Sequence, residues 1–189
     1  MAEQASINVE GFVQGVFNES FAAFKKDLVL YILAGLIVVF VGGFSLGILM
    51  GPLVVGFVQL ARRRRRGEAA TVSQIFDGMS SFGAAFLLTL IIAIGCFIGS
   101  MLLFVPALIV GLIVMFSFQV MVYKDAGVGD ALKGSFELVK AHFVPSLVLF
   151  ILLFVLNAIA GAIFIGAAVT VPFSLVATTI AYEKLTGQI

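Results

Sequence analysis

Charged side chains are absent from three long runs of the chain. Leu28 to Ala61, Gly78 to Tyr123 and Phe143 to Tyr182 hold no Asp, Glu, Lys, Arg or His over 34, 46 and 40 residues. A hydrocarbon core of about 30 Å takes roughly 20 helical residues at about 1.5 Å each. Each run is too long for one span and fits two, although the first then allows only 17 residues apiece. The pattern predicts an all-α integral membrane protein with six transmembrane helices arranged as three hairpins. Pro-broken or re-entrant segments are the competing arrangement.

The polar runs in between carry a helical period. At about 100° per residue, Val13, Phe17, Phe21, Phe24 and Leu28 share one face, opposite Gln14, Asn18, Lys25 and Lys26. Val128, Leu132, Phe136, Val139 and Phe143 form a second stripe, with Asp130, Lys133, Glu137 and Lys140 on its polar face. A shorter stripe, Val72, Ile75, Phe76 and Met79, follows Thr71, a candidate N-cap. Each hairpin is therefore expected to follow a cytoplasmic amphipathic helix, lying in the membrane interface or packed under the bundle as an elbow. A single membrane domain, 1–189, then divides into 1–61, 62–123 and 124–189. The unit repeats: Asp27 to Leu33 matches Ser146 to Leu152 at an offset of 119, as do Gly15 with Gly134 and Phe17 with Phe136. Ile75-Phe76-Asp77-Gly78 is a fainter middle copy.

Composition agrees with the bilayer as solvent: 62% of residues are hydrophobic, 11% are charged, and mean hydropathy is +1.22. So few charges cannot cover a soluble domain. The placement of the eleven Lys and Arg orients the chain. If every apolar run turns back, all eleven fall on one side; if each run were one long tilted helix, they would split five against six. The positive-inside rule selects the first arrangement. The expectation is a bacterial cytoplasmic (inner) membrane protein with both termini cytoplasmic and uncharged outer turns near Gly42-Gly43, Phe104-Val105-Pro106 and Asn157 to Gly166. Residues 1 to 24 hold Glu3, Glu10 and Glu19 but no Lys or Arg, so the first span, not a cleavable signal, is expected to direct insertion.

Candidate chemistry is sparse. One His and one Cys leave no Cys/His metal site, no disulfide framework and no expected cofactor, and near-neutral charge leaves no nucleic-acid face. No apolar run contains an ionisable acid or base of the kind that proton relays, ion-coupled carriers and voltage sensors place there. Gln59, Gln119, Asn157, Thr178 and Thr179 are read as interhelical hydrogen-bonding groups, and His142 and Cys96 as structural. Catalysis has no visible residues, and no enzyme activity is expected.

Three features remain. Arg62, Arg63, Arg64, Arg65 and Arg66 follow the second span directly, as a topology anchor or as a cluster drawing anionic lipid headgroups at about 1 kcal/mol per residue. Gly43, Gly47 and Gly51 recur every four residues, as do Gly95 and Gly99, which suits close helix packing inside one chain or at a homo-oligomer seam. Pro106 and Pro145 suit the first turns of spans. Pro52 and Pro172 each stand about ten residues before the next charge and are expected to kink or break spans two and six.

These motifs carry a resemblance. Gly51-Pro52-Leu53 before a basic segment, Ile75 to Gly78, Val105-Pro106, Ala131 to Phe136 and Val171-Pro172-Phe173 with Ala181-Tyr182 resemble the YciC-like proteins and the membrane domain fused to some glycerophosphodiester phosphodiesterases. The resemblance implies the fold and no activity, since no phosphodiesterase domain is present. The expected role is non-enzymatic and works through membrane lipids or a protein partner, as a scaffold, assembly factor or membrane-shaping element. The alternative is an oligomeric channel or facilitator for a neutral or lipid-like solute.

Overall fold

The computed structural model describes residues 8–101, 105–161 and 164–188, with side chains from Gly166 onward in the last of these. Among them every element is helical: α1 Val9–Lys26, α2 Leu28–Phe44, α3 Met50–Arg65, a 3-10 segment Val72–Ser81, α4 Phe82–Met101, α5 Val105–Val114, α6 Ser117–Lys124, α7 Val128–Ala141, α8 Phe143–Gly161 and α9 Phe164–Thr186. Val72–Met101, Val105–Lys124 and Phe143–Gly161 are each long and apolar enough to cross a membrane, and α1 with α2 pass together but meet at 97°. The expected turn positions at Phe104 and 162–163, and Glu3, lie outside the described residues.

Local chemistry sets the boundaries. Asn8 caps α1 by accepting from the Gly11 N–H at 3.2 Å, and Lys25 and Lys26 close the helix where its carbonyls are unpaired. Thr71 opens the 3-10 segment, its N–H donating to Gln74 Oε1 at 3.0 Å. With three residues per turn, Ile75 and Gly78 fall on the same, buried side. The span expected from Pro106 onward breaks into α5 and α6 at Met115 and Phe116. Ser135 of α7 serves that break, donating to Ile113 O at 2.6 Å and accepting from Phe116 N at 3.2 Å, so the freed backbone groups stay bonded away from water.

Packing follows a cyclic order. Each of α2, α4 and α8 packs on the helix after it, α3, α5 and α9 respectively, and α3, α6 and α9 touch one another in the middle. The three polar-run helices lie beneath: α1 touches α8 and α9, the 3-10 segment touches α2 and α3, and α7 touches α5 and α6. Every residue of α3 from Gly51 to Val58 is buried, and Phe57, Leu60, Phe116, Val176 and Ile180 fill the middle. The outside is apolar as well, with Val29, Phe97 and Ile159 all more than 60% exposed. A surface of this kind suits lipid.

The tightest crossing pairs two glycines. A Cβ on Gly56 would lie 1.8 Å from Ile75 O, and one on Gly78 would lie 2.0 Å from Pro52 O. The 3-10 segment thus rests directly on the α3 backbone. Of the glycines expected at packing seams, Gly51 and Gly99 meet backbone, at Ala85 O (2.2 Å) and Ala107 N (2.6 Å), and Gly95 meets only the Val110 side chain. Gly43 and Gly47 depart from the expectation. Gly47 lies in the turn after α2 with φ 84°, which interrupts the helical register, and nothing lies within 4 Å of a Cβ at either position. Pro52 stands elsewhere than in a kink: it is the third residue of α3, in its first turn. Pro172 sits within an unbroken α9, its ring against Gly35, where a Cβ would come within 2.5 Å of Pro172 Cγ.

Replacing Gly78 by Ala should destabilise the fold by about 1–3 kcal/mol through overpacking against backbone that cannot give. Gly43→Ala, in open space within a helix, should leave the melting temperature equal or higher. Thermal unfolding in detergent separates the two, and a G78A protein melting with the parent would refute the close crossing.

Candidate functional site

Four consecutive helical residues point in four directions, because each is turned about 100° from the last. On an outer helix, most of Arg62 to Arg65 would face lipid or water. α3 is an inner helix with neighbours all round, so each arginine meets a different one. The run is, for these four, a set of cross-links within the chain.

Arg62 turns to α6: its Nη1 donates to Val122 O at 3.1 Å and its guanidinium stacks 4.3 Å over the Tyr123 ring. Arg63 reaches Asp77 of the 3-10 segment at 3.0 Å. Arg64 forks onto Asp27, with Nε donating to Oδ2 at 3.0 Å and Nη2 to Oδ1. Asp27 is the residue at which α1 gives way to α2, so this fork pins the 97° elbow. Arg65 donates from Nε to Glu183 Oε2 of α9 at 2.7 Å and from Nη2 to Glu19 Oε2 of α1 at 3.3 Å.

Glu183 is 3% exposed, and its other oxygen accepts from the Tyr123 hydroxyl. A carboxylate so buried is tolerable only when its oxygens are bonded and its charge is met. Arg65 and Tyr123 do both. Lys184 extends the network by pairing with Glu19. The Asp27 hydrogen bond holds the Arg64 guanidinium above its ordinary pKa. Burial disfavours charge on Arg65, but Glu183 and Glu19 outweigh it and raise that pKa as well. Both arginines stay charged at any physiological pH.

Exposed ion pairs contribute little, at about 0–1 kcal/mol each. Arg63–Asp77 is such a pair, whereas Arg64 is forked onto a half-buried Asp27 and Arg65 shares the buried Glu183 with Tyr123. Beside them is a cleft of about 280 Å³ walled by Glu19, Lys26, Asp27, Tyr31, Arg64 and Arg65. A second, of about 220 Å³, is walled by Gln59, Arg62, Arg63, Arg66, Glu68 and Val122. Arg66 caps α3 and is exposed.

Two polar groups of the apolar runs donate across helices, while Thr179 bonds within α9 to Leu175 O. Gln119 Nε2 of α6 donates to Thr178 Oγ1 of α9 at 2.9 Å, and Asn157 Nδ2 of α8 donates to Ser174 Oγ of α9 at 2.7 Å. His142 caps α7 at its junction with α8. Among the described residues no three His, Cys, Asp or Glu side chains gather as a metal site would need. The acids Glu19, Asp27, Asp77 and Glu183 are the site residues that the sequence reading left unassigned. One signal was present: Asp27, Asp77 and Glu183 each directly adjoin an apolar run, where an unpaired carboxylate would be costly.

Arg65→Gln should cost about 3–5 kcal/mol, since it leaves the buried Glu183 carboxylate without a cation. Adding Glu183→Gln should recover part of that loss, and a double-mutant cycle on detergent melts measures it. A double variant as unstable as the sum of the singles would show the pair to be uncoupled. No protein-family model, curated protein or solved structure matches the chain.

Proposed function

We propose that the chain is a non-enzymatic protein of the bacterial cytoplasmic membrane that shapes the bilayer as a wedge driven in from the cytoplasmic side. Asp27 and Arg64 stand at the two ends of the first charge-free run and touch. Asp77 and Tyr123 flank the second, and they meet adjacent arginines of α3. These contacts support runs that turn back on themselves, three helix pairs with both termini on the cytoplasmic side, and a base of α1, the 3-10 segment and α7 beneath them. Each base helix also leaves one phenyl ring exposed, Phe21, Phe76 and Phe136, as a helix lying in the headgroup layer would.

The observation that carries the reading is a difference in length. Counted to the charged end, the apolar part of α3, Met50 to Ala61, has 12 residues, against 19 from Val105 to Tyr123 and 19 from Phe164 to Tyr182. The ends are level, because Arg62 and Arg65 touch Tyr123 and Glu183. The α3 arm of the first pair is therefore about 10 Å shorter than α5–α6 or α9 at about 1.5 Å per residue, and the turn after the 17-residue α2 makes up the difference. The tip of the first pair is built for hydrocarbon. Phe44 and Leu46 are 87% and 92% exposed. Its backbone N–H groups bond inward: Ser45 to Val41 O, Leu46 to Gly43 O, Gly47 to Gly42 O, Ile48 to Ser45 O, and Leu49 to the Ser45 hydroxyl. Only structures whose polar groups are satisfied internally are stable at that depth.

The first pair is on this reading the shallowest of the three, the re-entrant alternative to the six spans expected from charge spacing. A broad base and a narrower far side make the wedge. The facilitator alternative draws no support from the middle of the bundle, which side chains fill. Vesicles carrying the protein at high density should become smaller or tubular by electron microscopy, and vesicles of unchanged size would sink the shaping role. In a Cys96→Ala background, Leu46→Cys should resist an impermeant thiol reagent from both sides of the membrane while Ser73→Cys labels from one. Labelling of the Leu46 position from the far side would restore six spans.

A further inference from the structure

Arg62 differs from the three arginines that follow it. Among the described residues Arg63, Arg64 and Arg65 each meet a carboxylate within 4 Å, whereas Arg62 meets a carbonyl and a ring face and its buried Nε has no hydrogen-bond partner. Leaving a charged donor shielded and unsatisfied is costly. Its surroundings add more positive charge: Arg63 and Arg66 line the same 220 Å³ cavity, with Gln59 as a neutral donor and Glu68 as the one acid. The cavity adjoins another of about 380 Å³, sharing Gln59 and Val122 with it. Polar groups of Ser80, Ser81 and Asp125 and apolar ones of Val55, Ala84 and Met121 line the second cavity. Phosphate-binding, hydroxyl-binding and apolar walls thus follow one another between α3, α4 and α6.

We propose that this pair of cavities holds one anionic phospholipid, its phosphodiester against Arg62, Arg63 and Arg66 and its hydroxyl-bearing headgroup toward Ser80 and Ser81. The guanidinium groups of Arg62, Arg63 and Arg66 that line the cavity suit a phosphate oxygen, and an anion there supplies the countercharge that Arg62 lacks. The proposal rests on the membrane reading above and assigns it a lipid class and a site.

The test uses the full chain reconstituted in phosphatidylcholine vesicles doped with spin-labelled phosphatidylglycerol, reading the motionally restricted fraction. The parent should prefer the labelled lipid over labelled phosphatidylcholine. Arg62→Gln should lower that preference about tenfold, Arg62→Lys should lower it less, and Lys140→Gln, an equal loss of charge elsewhere, should leave it unchanged. If Arg62→Gln fails to fold, Gln59→Leu keeps every charge and should still cost severalfold. Millimolar inorganic phosphate identifies the source. Little displacement of the label supports a lipid headgroup, and full displacement overturns the lipid in favour of a soluble phosphate. An Arg62→Gln protein that keeps the preference, or a Lys140→Gln protein that loses as much, overturns the site. Failure to float with phosphatidylcholine vesicles would instead overturn the membrane reading, a result distinct from insertion without preference.

Discussion

The structure depends on where one helix ends. α3 is surrounded, and at its charged end four arginines in one turn reach α6, the 3-10 segment, the α1–α2 elbow, and α9 with α1. A run of like charges would ordinarily repel and face solvent. Here each guanidinium has a separate neighbour, so repulsion within the run is offset by attraction outward. Because the partners lie on segments far apart in sequence, one helical turn fixes the relative height of most of the bundle. Levels that would otherwise float against each other in lipid, where no hydrophobic force opposes sliding, are set by charge-assisted hydrogen bonds.

Above that level, packing is set by small residues. Gly56 and Gly78 let the 3-10 segment lie on the α3 backbone, and Gly35 receives the Pro172 ring. The two mechanisms divide the work by depth. Near the headgroups, direction and charge hold the helices; within the apolar region, close approach and a few paired amides and hydroxyls do.

Much of this was legible in the sequence. The three charge-free runs mark where the apolar helices lie, and the 3.6-residue stripes mark α7 to within two residues and α1 to within four. Thr71 and Pro106 stand at the starts assigned to them. What was not legible depends on a neighbour. Val13 to Leu28 reads as one apolar face, yet Phe24 is buried and Phe21 exposed, because α9 and α8 cover only part of the stripe. The Gly43, Gly47, Gly51 spacing reads as a helical ridge until the chain turns at Gly47. The Arg run gives no sign from composition of whether its helix is inner or outer, and that decides how many of the arginines reach neighbouring helices. Counting residues per run could not show that the α3 arm is short, since the total of 34 conceals an uneven division between α2, the turn and α3.

The Arg65 contacts also impose an order in time. Glu19 precedes Arg65 by 46 residues, while Glu183 follows it by 118. At roughly 5–20 residues per second, Glu183 leaves the ribosome about 6–24 s after Arg65 does. For that interval Glu19 is the one of the two carboxylate partners that has already been made. Of the two Arg65 hydrogen bonds, the longer one is thus to the partner made first and the shorter one to the partner that α9 brings last.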